Sequence, residues 1–193
     1  MGSLHSTFSV IGATNHSKGE RQAEDYYATE SKAVDLLMGV EKFSNNIWEC
    51  AVGGGHLAQK LEEYGYTVFG SDIIDRGYKD TQIIDFLTCT KTFDGDIVTN
   101  PPYKYALEFT QKALELIPVG NKVAFFLKLT FLEGQKRRKF FEKNPPKVVY
   151  VSSARLNCAK NGDFDAYKSS AMAYAWFVWE KGFTGKPVIE WIN

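Results

Sequence analysis

Ile47-Trp48-Glu49-Cys50-Ala51-Val52-Gly53-Gly54-Gly55 reads as a short apolar strand, 47–52, that runs into a triple-glycine turn. Glycines there let the backbone bend sharply and approach a ligand closely. Leu57, Ala58, Leu61 and Tyr64 follow at helical spacing, and Gly65 closes that helix. The turn is not a phosphate loop, because it lacks the Gly-Lys-Ser/Thr ending of nucleotide hydrolases.

Working outward, strands and helices alternate. Further strands are expected at 67–72, 82–86, 96–99, 122–129, 147–152 and 174–180. Helices are expected at 31–40, at 106–117, which Pro118 and Gly120 help to end, and at 132–143, stopped by Pro145-Pro146. Residues 153–173 carry no helical stripe, so the last two strands are expected to pair antiparallel. This order predicts an α/β, Rossmann-like, doubly wound sheet of seven strands, mostly parallel, with an antiparallel last strand. Residues 1–24 are polar and read as an N-terminal arm ahead of a single domain over 25–193.

Strand ends carry the chemistry in such a sheet. Asp72 ends the second strand, 17 residues past Gly55. An acid there can accept hydrogen bonds from both hydroxyls of a ribose. Asp85 ends the third strand, where a carboxylate can accept from an adenine amino group and Phe86 can cover the ring. In order, these residues describe a nucleoside-cofactor site.

The fourth strand ends in Asn100-Pro101-Pro102-Tyr103. An exocyclic amine on a base is a poor nucleophile, because its lone pair is delocalised into the ring. The Asn100 side-chain oxygen and the Pro101 carbonyl can each accept one amine hydrogen, favouring a tetrahedral nitrogen. Two prolines stiffen the backbone and preorganise these acceptors, and Tyr103 can stack on the ring. The proton becomes acidic once the nitrogen is methylated, so no general base is needed before attack.

Net charge is zero, but its distribution is uneven: residues 1–119 hold 10 Lys/Arg and 17 Asp/Glu, residues 120–170 hold 11 and 4. The second half is thus expected to present a basic face to phosphates. Lys128 and Phe131 follow the fifth strand, Arg137 and Arg138 sit in the run 136–139, and Arg155, Lys160, Phe164, Tyr167 and Lys168 interleave charge with aromatics, as a nucleic-acid strand needs. His56 is assigned no role. Cys50, Cys89 and Cys158 have no metal-ligand or disulfide spacing, which predicts no metal site and a reducing compartment. No signal peptide and no membrane span are expected.

These motifs resemble the class I S-adenosylmethionine (SAM)-dependent methyltransferases, and among them the amino-methyltransferases with an Asn-Pro-Pro-Tyr motif. The chain is similar, nearly throughout from Asp25, to the short adenine-N6 DNA methyltransferases of phages and prophages. The resemblance implies SAM as cofactor. It implies that Tyr27 and Thr29 hold the methionine end, that Glu49, Ala51, Gly53 and Gly55 form the cofactor loop, and that Asp72, Asp85 and Phe86 hold the ribose and adenine. It implies Asn100, Pro101, Pro102 and Tyr103 as the catalytic tetrad, and a bacterial or phage-infected cytoplasm as the setting. DNA is the expected partner ahead of RNA. A protein glutamine as acceptor and an inactive scaffold rank below both, and the sequence does not fix the oligomeric state. The chain departs from many DNA adenine methyltransferases in showing no separate target-recognition domain, which weakens the expectation of strong sequence specificity.

Overall fold

The computed structural model describes residues 26–165 and 172–193; the expected arm, 1–24, lies outside them. In chain order the elements are β1 (Tyr27–Thr29), α1 (Ser31–Val40), β2 (Asn46–Glu49), α2 (His56–Glu63), β3 (Thr67–Asp72), β4 (Gln82–Ile83), β5 (Asp96–Thr99), α3 (Ala106–Leu116), β6 (Lys122–Lys128), α4 (Gln135–Lys143), β7 (Val148–Ser152), β8 (Cys158–Lys160), β9 (Tyr174–Glu180) and β10 (Val188–Ile192). Short 3-10 turns occupy Tyr103–Tyr105 and Leu129–Leu132.

The main sheet has the order β10-β7-β9-β6-β5-β2-β3-β4, with β9 antiparallel to both its neighbours and every other pair parallel. The mostly parallel, doubly wound sheet is thus as expected. Its strand number is eight rather than seven, because Val188–Ile192 adds a parallel edge beside β7. That run is rich in β-branched residues, the signal that marks it as a strand. The antiparallel strand is also internal, lying between β6 and β7.

Alternation along the strands divides the core into two layers. Val123, Phe125 and Leu127 of β6 and Phe177 and Trp179 of β9 face Phe109, Ala113 and Leu116 of α3 and Phe140 of α4. Ala124, Phe126, Trp176 and Val178 face Ala33, Val34 and Leu37 of α1 and Leu57 and Leu61 of α2. Buried indoles find acceptors: Trp176 Nε1 donates to the Ala33 carbonyl (2.7 Å) and Trp48 Nε1 to Ser71 Oγ (2.8 Å).

Several boundaries move for local reasons. Pairing of β2 ends at Glu49, where the glycine turn begins. The strand expected over 82–86 pairs only at Gln82–Ile83, because Asp85 then caps a turn by accepting from the Leu87 N–H (3.0 Å). Helix α4 starts three residues later than expected, since Leu129–Leu132 forms its own turn and Gly134 takes φ +108°. A two-stranded sheet pairs β1 antiparallel with β8, tying residues 27–29 to the segment 153–173 that carries no helical stripe.

Candidate active site

From β2 the chain steps outward through α2 to β3 and β4, then returns to the other side of β2 as β5. This reversal opens a crevice at the carboxyl ends of β2 and β5, the place where open α/β sheets hold ligands. A cavity of about 460 Å³ occupies it. Its wall includes Tyr27, Thr29, Glu49, Ala51, Asp72, Asp85 and Phe86, and also Asn100, Pro101, Pro102 and Tyr103. The two groups expected from the sequence therefore share one space.

Gly53 and Gly55 are not on that wall, but they pack against Tyr26, which lines it, and Tyr78. Gly55 has φ +84° and a Cβ there would come within 2.2 Å of the Tyr78 ring; Gly53 has φ +51° and a Cβ there would meet Tyr26 at 2.7 Å. Any side chain at either position is strained and also collides. Asp72 braces the turn, accepting from Gly53 N–H through Oδ2 (2.9 Å) and from Ile74 N–H through Oδ1 (3.3 Å).

Glu49 is 1% exposed and accepts from the Thr99 hydroxyl and the Ala51 N–H. Burial pushes its carboxyl up to about 8, opposed only in part by those two bonds. Thr29 is 3% exposed, lines the cavity, and its hydroxyl has no hydrogen-bond partner. A buried polar atom without a partner is costly unless a ligand completes it. Phe86 is buried against Trp48 and Phe109, with ring centroids 5.2 and 5.0 Å away.

The tetrad is held from β1 and β8. Asn100 Nδ2 donates to the Tyr27 carbonyl (2.7 Å) and approaches Cys158 Sγ (3.8 Å). Its Oδ1 is buried with no partner. Tyr103 Oη lies 3.3 Å from Cys158 Sγ, and the Lys128 ammonium sits 4.9 Å from the Tyr103 ring centroid. Burial raises Tyr103 well above its ordinary range and pushes the Cys158 thiol up to about 11, so both stay neutral near neutral pH.

The expected target contacts are not all brought together. Lys128 reaches the tetrad through Tyr103. Phe164 stands 5.9 Å from the His56 ring, beside the cavity rather than on its wall. Phe131 is corrected in part: it is 5% exposed and packs with Phe141, Phe177 and Trp179 in the core, while also lining a groove beside Tyr103 and Lys104. Arg137 is also corrected in part, because its guanidinium donates to the Glu133 and Thr130 carbonyls and covers Phe131. Arg138 is exposed and pairs with Glu142 (2.9 Å). Tyr167 and Lys168 lie outside the described residues. Tyr26, His56, Arg76 and Tyr105 line the cavity without having been expected, and Cys158 joins the tetrad through a strand pairing that no local pattern announces. Among the described residues, no cluster of His, Cys, Asp and Glu could hold a metal ion, and no helix is long and apolar enough to cross a membrane.

The sequence matches no protein-family model and no curated protein. Solved structures do match. A protein described as a modification subunit of a type I restriction enzyme from Vibrio vulnificus aligns at TM-score 0.58 and 11% identity, over 86% of this chain and 46% of that one. A protein described as an O-methyltransferase from Agrobacterium tumefaciens aligns at TM-score 0.61 and 9% identity, over 84% and 85%. One described as a class I SAM-dependent methyltransferase from Listeria monocytogenes aligns at TM-score 0.59 and 16% identity, over 90% and 68%. The chain spans less than half of the Vibrio subunit, so that protein's whole activity does not carry over. At these identities the likeness is one of fold, a mostly parallel, Rossmann-like α/β sheet shared with structures described as methyltransferases.

Proposed function

We propose that this chain transfers a methyl group from SAM to an exocyclic amine of a nucleic-acid base, with adenine N6 in DNA as the acceptor. The observation that carries this is the Asn100 side chain, which lines the cavity, spends its amide nitrogen on Tyr27 and leaves its buried oxygen without a partner. That oxygen is an acceptor waiting for a donor, and an amine hydrogen is the donor that fits.

The residues present suit the cofactor. Glu49, the Thr29 hydroxyl and Tyr27 would hold the charged methionine end, and Asp72, which accepts from the Gly53 N–H through Oδ2 and from the Ile74 N–H through Oδ1 with Arg76 3.8 Å from Oδ1, would offer its remaining lone pairs to ribose hydroxyls. Asp85 and Phe86 stand at the end of the same wall for the adenine. Bound SAM supplies an electrophilic methyl group on a sulfonium centre.

Asn100 Oδ1 accepts one hydrogen of the target amine, and the Pro101 carbonyl beside it accepts the other. The nitrogen lone pair is thereby drawn out of the ring and aimed. Tyr103, fixed by Cys158 at its hydroxyl, offers a ring on the same wall for the target base. A base inside a duplex cannot reach such a cavity unless it is flipped out of the stack. The nitrogen sheds its proton to solvent after methylation. The Vibrio neighbour, described as a modification subunit, favours DNA over RNA. Incubation with methyl-labelled SAM and DNA, RNA or protein tests this; label in DNA is expected, and label confined to protein would contradict the reading.

A further inference from the structure

The carboxyl ends of β5, β6, β7 and β10 form one rim, because β5 is parallel to β6, β7 to β10, and β9 runs antiparallel to both β6 and β7. The rim begins at the cavity with Tyr103 and Lys104. Tyr103 also lines a shallow groove whose walls include Lys104, Lys136 and Arg137, with Glu108 as an acidic neighbour. Beyond it lies Arg155, exposed just past β7. The Ser153 N–H donates to the Ile192 carbonyl (3.4 Å) and to Asn193 Oδ1 (3.1 Å), holding the Arg155 loop against the end of β10.

Trp191 closes the rim. It pairs in register with Val151, on the α4 side of the sheet, whereas Ile192 turns into the α1–α2 layer. Its ring is 71% exposed, while Trp48, Trp176 and Trp179 are buried. Lys104 and Lys136 are likewise exposed, whereas Arg137 and Arg138 are engaged with Glu133, Thr130 and Glu142. From β5 to β10 the rim crosses four strand spacings, about 19 Å, which is room for several nucleotides.

We infer that this rim is the track of a single nucleic-acid strand, with the target base in the cavity, flanking phosphates on Lys104, Lys136 and Arg155, and a flanking base stacked on Trp191. Exposed cations interleaved with an exposed indole are the combination that single strands require. The exposed cations Lys104, Lys136 and Arg155 supply the charge complementarity, against the single acid Glu108 in the groove. The inference rests on the nucleic-acid reading above and adds where the strand lies.

Tryptophan emission tests it on the whole chain, with binding of a fluorescently labelled adenine-containing oligonucleotide followed in parallel by anisotropy. The oligonucleotide is expected to quench the emission that Trp191→Phe removes. Trp191→Ala and the pair Lys136→Glu, Arg155→Glu should each weaken binding by about tenfold or more, a stacking loss and a phosphate loss respectively. Only the charge reversals should flatten the dependence of affinity on salt. SAM affinity should not move in any variant. Oligonucleotide binding that leaves the Trp191 emission unchanged would overturn the track while sparing the nucleic-acid reading. Emission that changes with protein concentration alone would assign Trp191 to contact with a second copy and overturn it too. No oligonucleotide binding at all would sink both.

Discussion

The amide nitrogen of Asn100 donates to the carbonyl of Tyr27 at 2.7 Å, and this bond decides which way the amide faces. The oxygen is left buried with nothing to accept from, in a side chain that lines the cavity. Tyr27 itself is held by β1–β8 pairing, so a strand 73 positions upstream sets the geometry of the tetrad.

Removing the acceptor should stop chemistry and spare the cofactor. Asn100→Ala is expected to abolish methyl transfer while SAM affinity stays within about tenfold, roughly 1.4 kcal/mol. Single-turnover assays and calorimetry separate the two. Near-normal turnover in the variant would refute the role given to Asn100.

Asp72→Ala should do the reverse. It deletes the carboxylate that braces Gly53 and faces the cavity. Loss of even one charged hydrogen bond, worth about 1.5–3 kcal/mol, lowers SAM affinity by about 10- to 150-fold, so at least a tenfold fall is expected. At saturating SAM, kcat should recover; if kcat alone fell, Asp72 would be acting on chemistry instead.

Glu49 predicts a pH dependence. Its carboxyl is pushed up to about 8 by burial, from an ordinary value of 4.5. Between those two values the folded chain keeps a proton that the unfolded chain has released, so stability falls as pH rises from about 4.5 and levels off above about 8. Glu49→Gln cannot ionise. It should melt close to the parent at pH 4.5 and several degrees above it at pH 8.5, since each kcal/mol moves Tm by about 2–4 °C in a chain of this size. Below pH 8, SAM binding should release a proton, because the cofactor's ammonium favours the carboxylate. Calorimetry in buffers of different ionisation enthalpy reads that proton; its absence would remove Glu49 from the methionine end.

Phe131 distinguishes core from target contact. Its ring packs edge-on to Phe141 and Phe177. Phe131→Ala should cost about 3–5 kcal/mol of stability, with little change in KM for nucleic acid in the protein that remains folded. Denaturant unfolding would show the loss. A variant of unchanged stability with a raised KM would return Phe131 to the target site.

Much of this fold is readable from the chain, because apolar alternation such as Val123 to Leu127 states both the strand and its two buried faces. The cavity's lining was partly legible, since Glu49 and Asp72 end β2 and β3, Asn100 follows β5, and Asp85 stands two residues past β4. What escaped the sequence was long-range or short. β1 and β8 are three residues each and exist only by pairing with one another. Cys158 reaches Asn100 and Tyr103 across more than fifty positions. Phe131 looked like a loop aromatic because the turn Leu129–Leu132, which swings it inward, has no periodic signature.

Nucleoside mass spectrometry on DNA and RNA from cells expressing the chain, beside cells expressing Asn100→Ala, tests the central claim most directly. N6-methyladenine should appear in DNA with the parent and be absent with the variant. Methylated bases equal in both, or found only in RNA, would contradict adenine N6 in DNA as the acceptor.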